Sequence, residues 1–375
     1  MSGNVNRGTG RRVTRRVRGV LGAAVAVCAV TVALPGVASA EPSGAGAAGA
    51  AGVERISVAA DGTQADGDSA DASISHDGRR VIFSSSATNL TSDTASGGSK
   101  VFLRDQRTGQ NQRMGDLSPI GPPVISGDGE YIGYAHEWIT NVRIRQYQTS
   151  TGRTASLNCS AYTCDQASLN TDGRYTAHVL RYPRQPTFGQ RIEVQDWNNG
   201  GANQNVATFA HTKPSKPSIS GDGRYVAYQD GQTEDVFVWD RTGATTSGPI
   251  EGPDKAASLV QLSDDGGKVV YLSGSDTYVH DIRTGTNQLV PNVKGLAIDP
   301  TGRYLLYAPR DTSAPSLVLR DLRTGTDEVV SAQPASAGTD AVSAGGRDVV
   351  FQSAADDIVP GDTNGKSDVF ARHLY

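Results

Sequence analysis

Short runs of β-branched and aromatic residues alternate with tight polar turns along most of the chain, and one phrase recurs. It reads Ser73-Ile-Ser-His-Asp-Gly-Arg-Arg-Val-Ile-Phe83 and, most regularly, Ser218-Ile-Ser-Gly-Asp-Gly-Arg-Tyr-Val-Ala-Tyr228. Further copies occupy 124–134, 168–178, 261–271, 297–307 and 341–351, making seven. Each predicts a short strand, an Asp-Gly turn whose glycine supplies positive φ, and a returning strand. A second hairpin follows, carried by Val101–Asp105, Val236–Asp240, Tyr278–Asp281 and Leu317–Asp321, each with a Thr-Gly turn after it. Successive turn glycines from Gly78 to Gly346 lie 36 to 51 residues apart, around the roughly 40–45 of a four-stranded propeller blade. No stretch sustains a helical period. The predicted fold is therefore all-β: a seven-bladed β-propeller of four-stranded antiparallel blades.

The two ends complete the pattern. The chain stops at Val369–Tyr375, before the outer strand of the seventh unit, and an orphan strand at Val53–Val58 precedes the first. Joining them finishes one blade and removes two exposed edges. The expected closure is the N-terminal strand added to the last blade.

Composition then changes the picture at the front. Six arginines from Arg7 to Arg18 precede an apolar run, Val20–Leu34, and the small-residue sequence Val37-Ala-Ser-Ala40. These are the parts of a cleavable signal peptide over residues 1–40. The run is shorter than the roughly 20 residues of a membrane span. Residues 41–52, rich in glycine and alanine, read as a flexible leader, and 53–375 as the propeller. Loss of residues 1–40, which carry six arginines and no acidic residue, takes the formal charge from −4 to −10. An acidic, exported chain argues against nucleic acid and anionic membranes as partners. The expected location is extracellular and the expected state a monomer. Cys159 and Cys164, the cysteines outside the signal segment, are expected to pair as a disulfide in that compartment.

The phrase Ser-x-Ser-x-Asp-Gly-Arg-Tyr-Val-Ala-Tyr, with Asp-Val-Phe-Val-Trp-Asp-Arg-Thr-Gly after it at 235–243, resembles the WD40-like repeats of exported bacterial propellers of the TolB type. The closing Ile358–Phe370 is similar to the same group. The resemblance covers all seven units. It implies the propeller fold and, for some exported members, a non-enzymatic role: binding an extracellular neutral metalloprotease and serving as a transglutaminase substrate. On that implication Gln64, in Asp-Gly-Thr-Gln-Ala-Asp-Gly, is the glutamine best placed for crosslinking.

What recurs seven times is architecture, so a site should depart from the repeat. Asp77, Asp128, Asp172, Asp222 and Asp265 share one turn position and read as turn residues. Loop length varies after the second and fourth strands, which open on one face, and that face is the expected functional one. Three departures lie there. One is an acidic set beside the closure: Asp61, Asp66, Asp68, Asp71, Asp93, Asp356, Asp357, Asp362 and Asp368. Within it Asp362, Asn364 and Asp368 offer oxygens at spacings loosely like a calcium loop, or form an Asx-rich turn; calcium is the one cofactor considered. The second is the cysteine loop. The third is the insertion 181–190, carrying Tyr182, Arg184 and Phe188, which with Trp138 offers aromatic and arginine anchors for a protein partner, or packs on its neighbours. No nucleophile elbow or His-Glu-x-x-His occurs. His178 falls on a core position and His76 on a turn position. The leading expectation is thus a secreted, non-enzymatic binding protein. The alternative is a propeller enzyme, a lyase or glycoside hydrolase, acting on a polysaccharide or small molecule with groups gathered in the central channel from separate blades.

Overall fold

The computed structural model describes residues 52–375 except 94–96, 158, 160–161, 183–188, 200–201, 210–212 and 314. Six antiparallel sheets of four strands and one of three stand among the described residues, each built from consecutive strands. Blade 4 is typical: Ser215–Ile219, Tyr225–Asp230, Asp235–Asp240 and Thr245–Ile250, in that spatial order. The inner strands of blades 1 to 6 are Ser69–Ile74, Pro119–Ile125, Thr163–Leu169, Ser215–Ile219, Ser258–Leu262 and Val293–Ile298. One 3₁₀ turn, Ala344–Gly346, is the only helical element among the described residues. The fold is the seven-bladed all-β propeller that the repeat predicts.

The recurring turn does two jobs. Its aspartate caps the turn: in blade 4, Ser220 Oγ donates to Asp222 Oδ1 at 2.6 Å and the Arg224 N–H to the same oxygen at 2.8 Å. Its glycine, at φ between 66° and 75° in every blade, also receives a side chain from the preceding blade. A Cβ on Gly78, Gly129, Gly173, Gly223, Gly266, Gly302 or Gly346 would lie 2.1–2.9 Å from that side chain, a tyrosine ring in four cases. Only glycine meets both conditions. The cation after the turn then reaches the end of the third strand, as in Arg79–Asp105, Arg224–Asp240 and Arg303–Asp321 at 2.6–2.8 Å. These pairs are partly exposed and individually weak.

Closure follows the expected route with shorter bounds. Gly52–Arg55 pairs with Asp368–His373, Gly52 opposite His373 and Arg55 opposite Phe370. Beyond Arg55 the regular pairing ends: the Ile56 and Ser57 N–H groups share the Val369 carbonyl, and the Ser57 hydroxyl donates to Asp368 and accepts the Val369 N–H. The inner edge of this seventh blade has two isolated bridges, Ser336 to Gln352 and Val342 to Val349, in place of a continuous strand. Asp340, with φ of 56°, interrupts the extended run between them. A hydrophobic cluster including Ile56, Phe83, Phe102, Leu319, Phe351 and Phe370 spans the joint. Burial of each such large side chain contributes about 1.5–3 kcal/mol.

Candidate functional site in the central channel

The inner strands carry their bulges at one level. Pairing register shifts between Ala70 and Ser73, Ile120 and Val124, Asp165 and Ser168, Ser215 and Ser218, Leu259 and Gln261, and Gly295 and Ala297. Within these bulges Asp71, Gln166 and Lys216 take φ of 51–54°, and Asp340 does so in blade 7. That conformation is unfavourable for residues with a Cβ, and a bulge re-aims its side chain. Here Gln166, Lys216 and Asp340 line the channel, and Asp71 lines a chamber beside it. A cavity of about 640 Å³ is lined by Gln166, Ser168, Lys216, Ser218, Ser258, Gln261, Lys294 and Asp340, among others.

Its charges fall on two arcs. Lys216 of blade 4 has an exposed side chain that opens on the cavity and donates to Ser258 Oγ at 2.8 Å, and partial desolvation by the surrounding channel wall lowers its pKa. Lys294 of blade 6 is exposed to the cavity. Asp340 of blade 7 accepts from Gln261 Nε2 at 2.7 Å, and Gln261 Oε1 accepts the Ile298 N–H at 3.0 Å, which fixes the amide's orientation. Burial, with the nearby Asp264 charge adding and His76 opposing, pushes the Asp340 carboxyl up to about 7. Burial likewise raises Asp71 in blade 1.

Below Asp340 the channel narrows to a floor. His76 Nε2 meets Asp264 Oδ2 at 2.7 Å, joining blades 1 and 5. Burial works against the imidazolium, but the hydrogen bond and charge of Asp264 outweigh it, so the His76 pKa is raised. A belt of turn backbone surrounds the pair: Ala344 N–H to His76 O, His76 N–H to Gly127 O, Thr171 N–H to Gly221 O and Gly221 N–H to Asp264 O. A Cβ at Gly127 would stand 2.3 Å from His76 Cε1. His76 therefore does more than fill a turn position.

Apart from Asp71, the site residues singled out from the sequence lie elsewhere. Cys159 and Cys164 form the expected disulfide, packed with Leu157, Leu180 and Tyr182. Tyr182 meets Tyr162 edge-on at 4.3 Å and lies under Arg191 at 5.2 Å. Trp138 ends the second strand of blade 2, 45% exposed, with Arg143 over its ring at 5.6 Å. Arg184 and Phe188 lie outside the described residues. Gln64 does not hang free in a flexible segment: it bridges Val58, its Nε2 donates to Gly361 O and its Oε1 accepts the Thr363 N–H. The oxygens of the loop compared with a calcium site are engaged by the chain itself. Arg55 holds Asp362 at 2.9 Å and Asp368 at 3.4 Å, while Ser57 and Asn364 donate to Asp368. A guanidinium thus stands beside the carboxylates that a cation would need, and the acidic loop locks the closure. Of the acidic set, Asp71 reaches the channel wall.

Of the channel residues Asp71 alone belongs to the acidic set read from the sequence; Gln166, Lys216, Lys294 and Asp340 lie on the inner edges of the blades, where loop length carries no signal. Part of the signal lies two positions before each phrase, where Asp71, Pro122, Gln166, Lys216, Leu259, Gly295 and Thr339 stand, with Lys294 and Asp340 next to that column. That column never repeats.

Fold and channel define a propeller with a titratable pocket on its axis. No protein-family model matches the chain. Among solved structures, an oligogalacturonate lyase in complex with manganese is similar at 14% identity, covering 86% of this chain and 93% of that one, with a TM-score of 0.64. The oligogalacturonate lyase of Vibrio parahaemolyticus is similar at 12% identity over the same shares, with a TM-score of 0.65. TolB from Acinetobacter baumannii aligns over 70% of this chain and 62% of that one at 16% identity and a TM-score of 0.47. At these identities the likeness shows the fold. The two solved propellers named above that are similar over most of the chain are lyases, which stands against the leading expectation of a non-enzymatic, protease-binding protein and with the alternative. Among the described residues no three His, Cys, Asp or Glu side chains are grouped to hold a metal, and His76 Nε2 is taken by Asp264.

Proposed function

We propose that the protein is an enzyme that cleaves a short acidic saccharide by elimination in the central channel. One observation carries this reading: two titratable groups displaced in opposite directions, Lys216 lowered and Asp340 raised to about 7, share one cavity and occupy positions outside the repeat. Groups whose environments push their pKa values apart are suited to paired base and acid roles. The likeness in fold to oligogalacturonate lyases supports the same chemistry.

The step needs three things of the chain. Lys294 neutralises the substrate carboxylate, which acidifies the neighbouring C–H bond. Lys216, in its neutral form, takes that proton. The electron pair forms a carbon–carbon double bond, the C–O bond to the leaving sugar breaks, and protonated Asp340 gives its proton to the departing oxygen. Lys216 ends protonated and Asp340 ionised, and exchange with solvent restores both.

The test is incubation with a panel of uronate-containing oligosaccharides, following the ultraviolet absorbance of an unsaturated product. Lys216→Ala and Asp340→Asn should each lower kcat by roughly 10²-fold or more, the scale of a lost general acid or base. Release of saturated products, or full activity in both variants, would sink the proposal.

A further inference from the structure

A side chamber of about 140 Å³ opens beside the main cavity, between blades 7, 1 and 2. Its wall includes Asp71, Ser73, Pro122, Pro123, Thr339 and Gln352, and Pro122 and Thr339 also line the main cavity. The volume corresponds to about four or five waters at liquid density. It is polar on one side and lacks backbone donors at the two prolines.

Two features of the chamber are unlike their counterparts around the ring. At the position of Ser73, Ser168 accepts the Ile219 N–H at 3.1 Å, Ser218 that of Leu262 at 2.9 Å and Gln261 that of Ile298 at 3.0 Å. Each ties its blade to the next. Ser73 is 3% exposed and its hydroxyl has no hydrogen-bond partner among the described residues. An unpaired buried hydroxyl is destabilising, and a polar group entering the chamber relieves it. Asp71 is the second feature. Gln352 Oε1 accepts its backbone N–H at 2.6 Å, fixing the left-handed bulge, while its carboxylate makes no hydrogen bond among the described residues. Aspartate oxygens accept hydrogen bonds from hydroxyl groups and repel a second carboxylate.

Asp71 belongs to blade 1 and Asp340 to the adjacent blade 7, and Lys216 and Lys294 belong to blades 4 and 6, so the carboxyl groups and the lysines occupy different arcs of the channel that adjoin between blades 6 and 7. We infer that the side chamber is the subsite for an uncharged, hydroxyl-bearing sugar unit, and that the substrate joins one such unit to one uronate unit. The uronate faces the lysine arc and the neutral sugar's hydroxyls meet Asp71 and Ser73. This rests on the channel reading above and narrows it: a saccharide charged on every unit would place a carboxylate against Asp71.

Titration calorimetry on the full chain carrying Asp340→Asn, so that turnover is suppressed, compares a disaccharide carrying xylose on O4 of glucuronate with digalacturonate. The mixed disaccharide should bind at least tenfold more tightly. Adding Asp71→Asn, which keeps the shape and tolerates the left-handed backbone, should bring the ratio close to one by weakening the first and strengthening the second. Ser73→Ala should weaken the mixed disaccharide several-fold while leaving the melting temperature equal or higher, a combination that a merely structural serine would not give. A preference for digalacturonate, or a ratio unmoved by Asp71→Asn, overturns the subsite alone. Failure of both sugars to bind when Asp71 is intact overturns the channel reading and the subsite with it.

Discussion

Asparagine at position 340 keeps the outline of the side chain and the hydrogen bond from Gln261 but removes the titratable proton. The carboxyl rises from 3.8 in the unfolded chain to about 7 in the folded one, chiefly through burial. Between those two values the folded protein holds a proton that the unfolded chain has released, so stability falls as pH rises and levels off above about 7. Every tenfold difference in proton affinity between the two states corresponds to about 1.4 kcal/mol, which sets a ceiling of about 4 kcal/mol on what the ionised form costs at pH 8. Solvent relaxation around the channel will hold the measured figure below that. The assay is urea unfolding of wild type and Asp340→Asn at pH 4 and pH 8, with slopes compared so that midpoints convert to free energy. The two proteins should be nearly equal at pH 4, and the variant more stable by about 2–4 kcal/mol at pH 8. A variant less stable than wild type at pH 8, or a gain of the same size at both pH values, would refute the assignment of a buried acid. Gain of stability together with loss of turnover is the pattern expected where a site is kept at the expense of the fold.

The closure offers a test of opposite sign. His373 is raised from 6.5 to about 9 by hydrogen bonds to Asp348 and Glu54, so its contribution is full below pH 6.5 and is lost as pH rises through 9. His373→Gln should therefore show its largest deficit near pH 6, up to about 3 kcal/mol before discounting partial exposure, and almost none at pH 10 in the same unfolding assay. At the channel floor, Gly127→Ala places a methyl group on the His76 ring. It should cost about 1–3 kcal/mol and bring the His76 pKa back toward 6.5, read by NMR titration; an unchanged imidazole would mean that the pair with Asp264 is not what holds it.

What could be read from the chain and what could not divide along a physical line. Turn chemistry is local: an aspartate capping its own turn and a glycine at positive φ declare themselves within six residues, and repetition multiplies the signal. Even the ring closure is legible, because the missing outer strand and the orphan strand are both countable. The inner edge of blade 7 is not, since the bulge at Asp340 depends on packing against Gln261, 79 positions away. The channel is harder still. Lys216, Lys294, Asp340 and Asp71 come from four blades and become neighbours only when the ring is closed. The acidic loop at 362–368 misled for a related reason: its partner, Arg55, is about 310 residues distant, so the run appears unpaired until the ends meet.

The bulges explain how such a site can exist on a repeat without disturbing it. Six of the seven inner edges shift register at the same level whatever residue stands there, so the fold sets the backbone and leaves the side chain free to vary. Pro122, Leu259 and Gly295 put apolar surface on the channel wall, whereas Asp71, Gln166, Lys216 and Asp340 put polar groups there. Charge then bears on what can enter. The chain is net negative with or without its first forty residues, so a long acidic polymer is repelled by the surface as a whole. The two lysines act over the short range that a channel permits, since exposed charges are screened beyond roughly 8–10 Å in physiological salt. That combination favours short acidic saccharides over their parent polymers, and the preference should weaken as added salt screens the surface but leaves the channel largely unaffected.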